Sequence, residues 1–145
     1  MAAAERNINA AQSSSDPSAS PNGLRVLIVD DERDTVTTLM ELLADEGYQV
    51  RGVYKGRDAL DAMREFAPDA VVMDLALPDI SGWEVARRIR ASFGDERPTL
   101  IAISGRYKQS SDKVLGRISG FNHQLDKPCE PRALIALLAK SGGTA

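Results

Sequence analysis

The stretch Val26-Leu27-Ile28-Val29-Asp30-Asp31-Glu32 decides the fold, because a run of branched aliphatic residues ends abruptly in three acids. Four such residues in succession predict a strand that is buried on both faces, as in a parallel sheet. The pattern returns at Ala70-Val71-Val72-Met73-Asp74, where a second apolar run ends in an acid. Parallel sheets bind their ligands at the carboxyl ends of the strands. The two stretches therefore predict an α/β domain whose chemistry lies at those ends.

Outward from these two strands, apolar runs alternate with segments of helical spacing from residue 24 onward. This alternation predicts a doubly wound α/β domain, in which a parallel sheet is covered by helices on both faces. Gly47 marks a helix end, and Ser81 is a predicted helix cap. The predicted strands cover 24–29, 48–54, 70–74, 99–104 and 121–125, and the predicted helices cover 33–46, 58–66, 81–93, 110–119 and 130–140.

The composition bounds the class of protein. The chain has 145 residues, enough for one domain, with 43% hydrophobic and 27% charged residues. A net charge of −3 argues against binding nucleic acid or an anionic membrane through bulk charge. Cys129 is the single cysteine, which excludes an internal disulfide, and no apolar run approaches the length of a membrane span. Since the N-terminus lacks the apolar core of a secretory signal, we expect a cytoplasmic protein.

The chain divides into three predicted parts. Residues 1–23 are rich in Ala, Ser and Asn and offer few large apolar side chains to bury, so we expect a disordered tail. Residues 24–141 form the predicted folded domain, and residues 142–145 form a predicted flexible C-terminus.

Polar side chains follow four of the predicted strands. Asp30 and Asp31 follow the first strand, Asp74 ends the third, Ser104 ends the fourth, and Lys127 follows the fifth. In a doubly wound sheet these ends converge, so we expect the five side chains to lie in one cleft. Each residue alone has an ordinary interpretation as a helix cap, a turn residue or a solvated loop residue. Their joint occurrence at successive strand ends favours a functional site.

The three acids of this set suit a metal-assisted phosphoryl transfer. Carboxylates that lie close together raise one another's pKa unless a cation intervenes. A hard divalent cation with oxygen ligands, Mg²⁺, fits such a set and leaves room for phosphate oxygens. A carboxylate such as Asp74 can attack phosphorus and form an acyl phosphate, a reaction that needs positioning and charge neutralisation. Lys127 would supply positive charge, and the Ser104 hydroxyl can donate a hydrogen bond to a phosphoryl oxygen.

Four pieces of the sequence stand out together: 26–32, Val72-Met73-Asp74-Leu75-Ala76-Leu77-Pro78-Asp79-Ile80-Ser81-Gly82, Ile103-Ser104-Gly105 and Asp126-Lys127-Pro128. At these pieces the sequence resembles the receiver domain of two-component response regulators, and the match covers about 24–140. The separations are also similar to those of that family: 44 residues from Asp30 to Asp74, 30 from there to Ser104, and 23 from there to Lys127. The resemblance implies a flavodoxin-like, five-stranded parallel sheet of order 2-1-3-4-5 with five helices.

The resemblance also implies a phosphoacceptor and a metal site. Asp74 would accept a phosphoryl group from a phosphohistidine on a histidine kinase or a histidine phosphotransfer protein. Asp30 and Asp31 would hold Mg²⁺ together with Asp74, and the backbone carbonyl of Ala76 would complete the protein ligands. Such a protein is a switch that promotes only its own phosphorylation and dephosphorylation, rather than an enzyme.

The remaining implied roles concern the response to phosphorylation. Ser104 would follow the phosphoryl group as the switch hydroxyl, and Lys127 would pair first with Asp74 and then with the phosphate. Gln124 stands at the switch position, where many members of the family have Tyr or Phe. We therefore expect the output to rely on backbone shifts. Asp126, directly before the lysine, is also unusual for the family.

The leading hypothesis is a stand-alone phosphoacceptor receiver that ends at residue 145 without an output domain. It would signal or relay phosphate by contact with a downstream protein, as a monomer or a transient dimer, without binding nucleic acid or membrane directly. An alternative within the family is a receiver fragment of a hybrid histidine kinase or of a larger response regulator.

An alternative from another class is a small Mg²⁺-dependent phosphohydrolase of the haloacid-dehalogenase type. Those enzymes also use an Asp at a strand end. They need Asp-x-Asp directly after the first strand, whereas Asp30 and Asp31 are adjacent here. The chain is also too short for the cap domain of such an enzyme.

Overall fold

The structure is a computed structural model that describes residues 24–105, 120–127 and 129–143. The predicted tail 1–23, the predicted helix 110–119 and residues 144–145 lie outside these ranges. Pro128, the last residue of the Asp126-Lys127-Pro128 piece, also lies outside them.

Five parallel strands form one sheet in the order β2-β1-β3-β4-β5. The first strand, β1 (Arg25–Val29), lies between β2 (Gln49–Val53) and β3 (Ala70–Asp74). On the far side of β3 follow β4 (Thr99–Ser104) and then β5 (His123–Asp126). The predicted doubly wound α/β class and the order 2-1-3-4-5 are therefore confirmed.

Helices connect these strands wherever the connection is described. The bounds are α1 (Arg33–Asp45), α2 (Gly56–Phe66), α3 (Gly82–Phe93) and α4 (Pro131–Gly143). The described ranges thus hold four of the five predicted helices. The remaining predicted helix, at 110–119, falls outside them. None of the helices in these ranges is long and apolar enough to cross a bilayer.

Both faces of the sheet are buried, as the continuous apolar runs predict. Successive strand residues point to opposite faces. On β1, Leu27 and Val29 pack with residues of α2 and α3, whereas Val26 and Ile28 pack with residues of α1 and α4. All four side chains are at most 1% exposed. Burying an aliphatic side chain of this size stabilises the fold by about 1.5–3 kcal/mol, so both layers of helices contribute to the core.

The start of α2 differs from the prediction by two residues. The helix begins at Gly56, whereas the sequence pattern places its start at residue 58. The backbone N–H groups of Gly56 and Arg57 donate to the carboxylate of Asp79, which lies in the loop between β3 and α3. A cap that comes from another part of the chain therefore extends the helix backwards.

The last two elements also differ at their ends. β5 begins at His123 rather than at residue 121, because Gly120 adopts a φ of 102° and the Asn122 N–H donates to the Leu100 carbonyl before the strand begins. The final helix, α4, runs to Gly143, past the predicted end at 140 and into the segment 142–145 that the sequence predicts as flexible. Glycine lowers helix propensity by about 1 kcal/mol but leaves the backbone N–H in place, so a helix can continue through it where proline would end it.

The strand register brings the predicted site residues to one edge of the sheet. Asp74 at the end of β3 is paired with Ile103, the residue before Ser104. Ser104 at the end of β4 is paired with Asp126, the residue before Lys127. Because parallel strands end on the same side of the sheet, Asp74, Ser104 and Lys127 meet there.

Candidate functional site

Asp74 is the last residue of β3, and two hydrogen bonds hold its carboxylate. The backbone N–H of Ala76 donates to Oδ1 at 3.0 Å. The ammonium group of Lys127 donates to Oδ2 at 2.9 Å. Asp74 is only 6% exposed, and these two bonds fix its carboxylate at the carboxyl edge of the sheet.

Lys127 approaches the acids from the loop after β5. Its backbone N–H donates to the Ser104 carbonyl at 2.9 Å, which ties this loop to the end of β4. Its Nζ lies 2.9 Å from Asp74 Oδ2 and 3.5 Å from Asp30 Oδ2. Burial acts to lower the pKa of Lys127, but the hydrogen bond to Asp74 and the charges of both acids outweigh burial and raise that pKa above its ordinary value. The ammonium group is therefore charged at neutral pH and offsets part of the negative charge of the site.

Asp30 lies directly after β1 and is 3% exposed. Its Oδ1 accepts a hydrogen bond of 2.9 Å from the backbone N–H of Glu32. Burial raises the pKa of Asp30 above its ordinary value, and the negative charge of Asp74 raises it further. The Glu32 hydrogen bond and the charge of Lys127 act in the opposite direction without cancelling the shift. The ionised form of Asp30 is thus disfavoured, and another cation beside it would favour that form.

Asp31 completes a group of three carboxylates. It is exposed, unlike its neighbour Asp30. One oxygen from each of Asp30, Asp31 and Asp74 lies within 4.8 Å of the other two, and this is the one such group of three among the described residues. Three carboxylate oxygens at this spacing, one of them on an acid whose pKa is raised, fit a hard divalent cation such as Mg²⁺.

Ser104 and Asp74 line an open cleft of 430 Å³ at the carboxyl edge of the sheet. Ser104 is 1% exposed and is the last residue of β4. The structure thus brings the predicted acids, serine and lysine together. Ala76 also lines the cleft, while the metal-binding role of its carbonyl stays a prediction. The other lining residues are Asp31, Leu75, Gly105 and Lys127.

Gln124, the predicted switch position, lies outside this set. It is half-buried on β5, where it is paired with Ala102 of β4. Ser104, which lines the cleft, is the last residue of β4, and Gln124 lies on the neighbouring strand β5. The pairing of these two strands thus connects Gln124 to the cleft. The role of Gln124 in switching stays a prediction.

Two glycines shape the site, a role that the sequence reasoning missed. A Cβ atom on Gly82 would lie 2.7 Å from the Asp74 carbonyl oxygen and 2.8 Å from Leu75 Cα. A Cβ atom on Gly105 would lie 3.2 Å from Lys127 Cβ. Both glycines stand in the pieces that resemble the receiver family. The sequence signal for this role is their position: Gly82 comes directly after the loop that follows Asp74, and Gly105 directly follows Ser104.

Asp79 is a further residue of the site's surroundings that the sequence reasoning missed. It stands in the loop between β3 and α3, and its carboxylate binds the start of α2. The sequence carries no local signal for this contact, because the partners lie 22 and 23 residues earlier in the chain.

The geometry has a definite chemical capacity. The carboxylate of Asp74 lies beside two further acids that fit a divalent cation, and beside the charged ammonium group of Lys127. A divalent cation and an ammonium group can each neutralise the negative charge of phosphoryl oxygens. Phosphoryl transfer depends mainly on such neutralisation and on positioning. The cleft is open, so a phosphate carried by another molecule can reach Asp74.

Comparisons with known proteins agree with this geometry. The chain is 38% identical over 113 residues to the response regulator MprA of Mycolicibacterium vanbaalenii, an alignment that covers 78% of this chain and 48% of that protein. The chain therefore spans about half the length of this curated relative.

Solved structures show the same fold. The receiver domain of the Francisella response regulator 1452 is similar with a TM-score of 0.77 and 21% identity, over 83% of this chain and 98% of that chain. The CheY-like receiver domain protein of Methanospirillum hungatei is similar with a TM-score of 0.74 and 23% identity, over 84% of this chain and 98% of that chain. At these identities the likeness concerns the fold alone.

The family comparison covers most of the chain. The sequence model of the response regulator receiver domain matches residues 26–139, from the second residue of β1 into the last helix. On the match to that sequence model and the 38% identity to a curated response regulator, this chain belongs to the response regulator receiver domain family.

Proposed function

We propose that this receiver domain accepts a phosphoryl group on Asp74 from a phosphohistidine of a histidine kinase or histidine phosphotransfer protein, with Mg²⁺ as cofactor. The observation that carries the proposal is the pairing of Lys127 with Asp74 at 2.9 Å beside the three-carboxylate group. A nucleophile, a cation site and a positive side chain thus share one open cleft. A bound Mg²⁺ would supply positive charge to the phosphoryl oxygens.

The transfer step follows from the nature of the two partners. A carboxylate oxygen of Asp74 attacks the phosphorus atom, and the bond between phosphorus and the imidazole nitrogen breaks. The electron pair of that bond returns to the imidazole, which is a good leaving group once it carries a proton. The bond formed is an acyl phosphate, and the step needs no general base because a carboxylate nucleophile has no proton to lose.

Lys127 and Ser104 would stabilise the product. The ammonium group of Lys127 already reaches Asp74 Oδ2, so a short movement lets it pair with a phosphoryl oxygen instead. The Ser104 hydroxyl, at the end of β4, also lines the cleft and can donate to another phosphoryl oxygen. Movement of Ser104 would pull on β4 and so report the phosphorylation state to the rest of the domain.

The output in this proposal is contact with another protein. The domain would act as a switch that promotes only its own phosphorylation and dephosphorylation, and it would relay phosphate or bind a downstream target. Gln124 is half-buried and paired in register with Ala102 on β4, the strand that ends in Ser104. Backbone shifts of β4 and β5 are therefore the proposed route from the cleft to the surface. A cytoplasmic location is also part of the proposal and rests on the single cysteine.

A second candidate is that this receiver is one part of a larger response regulator or of a hybrid histidine kinase. The observation that favours it is that the alignment to MprA covers only 48% of that protein. An antibody raised against this domain would decide between the candidates on a denaturing gel of the natural host. A band at the mass of 145 residues supports the stand-alone protein, and a larger band supports the second candidate.

The proposed acceptor site is tested with beryllium fluoride, which mimics a phosphoryl group on a carboxylate. Wild type should gain thermal stability when beryllium fluoride and Mg²⁺ are added together, and much less when either is added alone. Asp74→Asn should lose this gain, because a carboxamide is a poor ligand for beryllium. Asp61→Asn, on the exposed face of α2, is the matched control and should respond as wild type does. An identical response of wild type and Asp74→Asn would contradict the proposal.

A further inference from the structure

Asp79 connects the loop after the phosphoacceptor to the neighbouring helix. Its Oδ1 accepts the backbone N–H of Gly56 at 2.8 Å, and its Oδ2 accepts the backbone N–H of Arg57 at 3.0 Å. The side chain of Lys55, directly before α2, makes no capping hydrogen bond to the described part of the chain. The N-terminus of α2 is thus capped by a carboxylate from the loop between β3 and α3, which also suits the positive end of the helix dipole.

Several groups hold the half-buried carboxylate of Asp79. The Asp79 side chain is 10% exposed, and the Arg57 Nε lies 3.6 Å from Oδ2. Burial acts to raise the pKa of Asp79, but backbone hydrogen bonds from Arg57, Gly56 and Ile80 outweigh burial and lower that pKa to about 2. The carboxylate therefore stays ionised at every pH at which the protein would work.

The backbone at Gly56 is shaped to receive this loop. A Cβ atom on Gly56 would lie 3.0 Å from the Ile80 carbonyl oxygen and 2.8 Å from Val85 Cγ2. The loop therefore packs directly against the glycine backbone. Because α2 is itself fixed on the sheet by the buried residues Ala59 and Ala62, its N-terminus is a rigid support.

The same loop carries the backbone that touches the acceptor. Ala76, two residues after Asp74, donates its N–H to Asp74 Oδ1 at 3.0 Å. At its far end the loop closes on itself, since the Gly82 N–H donates to the Leu75 carbonyl at 3.0 Å. Asp79 lies between these two points, and its side chain ties the middle of the loop to α2.

We propose that Asp79 is a positioning residue for the acceptor site, which holds the loop so that Ala76 presents its backbone to Asp74 and to a bound cation. This inference rests on the proposed function, because it assigns Asp79 a task in the cation and acceptor chemistry. Residues that orient the ligands of a metal affect its affinity about 10- to 100-fold when they are changed. Asp79 acts one step further away, through Ala76, so the lower end of that range applies.

The test is a Mg²⁺ titration of the full chain, followed by amide NMR. Asp79→Ala should bind Mg²⁺ about tenfold more weakly than wild type, and the Ala76 amide resonance should already be shifted in the metal-free variant. Asp79→Asn keeps one acceptor oxygen and should restore part of both properties. All variants are compared at a temperature at which urea unfolding shows each of them to be folded.

The control is Ser81→Ala, which removes a cap of a similar kind from α3, where Ser81 Oγ accepts the Glu84 N–H at 3.2 Å. It should lose similar stability but keep Mg²⁺ affinity within about twofold of wild type. Equal weakening of Mg²⁺ binding in Ser81→Ala and Asp79→Ala, or an unshifted Ala76 amide in Asp79→Ala, overturns the inference. If wild type binds no Mg²⁺, the metal part of the proposed function fails, and the Ala76 amide alone then decides the role of Asp79.

Discussion

Lys127 and Asp74 are 53 positions apart in the chain, yet Lys127 Nζ donates a hydrogen bond of 2.9 Å to Asp74 Oδ2. The same ammonium group lies 3.5 Å from Asp30 Oδ2, so one cation serves two buried acids. In the metal-free protein Lys127 therefore supplies positive charge where Mg²⁺ is proposed to bind. The lysine and the metal are thus electrostatically coupled through the same carboxylates, and this coupling can be measured.

Lys127→Met should destabilise the metal-free protein and make it more responsive to Mg²⁺. Losing the ammonium group leaves Asp30 and Asp74 without their cation, and we expect a loss of about 1 kcal/mol, because the lysine side chain is 29% exposed and partly screened. Thermal unfolding should show a larger gain on adding Mg²⁺ in the variant than in wild type. Lys140→Met, on the exposed end of α4, is the control and should behave as wild type does. An equal Mg²⁺ gain in Lys127→Met and wild type would argue against the coupling.

Asp30→Asn should stabilise the metal-free protein near neutral pH. The pKa of Asp30 in the folded state is above 3.8, its ordinary value, mainly because the residue is buried. Between 3.8 and the raised pKa the folded state binds more protons than the unfolded state, so stability falls as the pH rises through this window. Above the window the ionised acid destabilises the fold, and the asparagine removes that penalty.

The measurement is the unfolding temperature of wild type and Asp30→Asn against pH, with a chelator present. We expect the variant to unfold at a higher temperature than wild type near neutral pH, and the difference to shrink as the pH falls toward 3.8. Mg²⁺ should raise the unfolding temperature of wild type and leave that of the variant nearly unchanged. A variant that is less stable than wild type in chelator at neutral pH would show that the burial of Asp30 carries no penalty.

Gly82→Ala should damage the fold and the acceptor together. The added Cβ would lie 2.7 Å from the Asp74 carbonyl oxygen, so the backbone at Asp74 must shift to admit it. We expect a loss of about 2 kcal/mol in urea unfolding and weaker binding of beryllium fluoride. Ser92→Ala, exposed on the same helix, should change neither quantity. If Gly82→Ala unfolds at the same urea concentration as wild type, Gly82 does not lie as close to the Asp74 carbonyl as the structure has it.

Tyr48→Phe should leave stability unchanged or raise it by up to about 1 kcal/mol. Tyr48 is 4% exposed, and its hydroxyl has no hydrogen-bond partner among the residues that the structure describes. Removing a buried hydroxyl that lacks a partner removes a desolvation penalty and keeps the ring in place. Urea unfolding measures the effect, with Tyr54→Phe at a half-buried position as the control. A loss of more than about 1 kcal/mol would mean that the hydroxyl has a partner.

The sheet and the acidic edge are readable from the sequence because both rest on local patterns. The apolar run at 26–29 and the one at 70–73 are each long enough to specify a buried strand, and each is followed directly by an acid. Parallel pairing then places Asp30 and Asp74 at the same edge, whatever the loops do. The strand order itself came from the resemblance to a family rather than from any local pattern.

Features that depend on distant contacts are not readable in this way. Asp30 and Asp31 are adjacent acids that the sequence treats alike, yet the first is buried and the second is exposed. Their difference depends on how the chain turns after β1 and on where Lys127 lies. The start of α2 is likewise set by Asp79, which comes 23 residues after Gly56. Such contacts become visible only when the fold brings the partners together.

The central claim is that Asp74 is the residue that accepts phosphate. The protein is incubated with a phosphohistidine donor and Mg²⁺ and then treated with borohydride, which reduces an aspartyl phosphate to homoserine. Mass spectrometry of the peptides should find homoserine at position 74 in wild type, and none in Asp74→Asn or in a sample with chelator. Homoserine at another position, or phosphorylation of Asp74→Asn at the rate of wild type, would contradict the account.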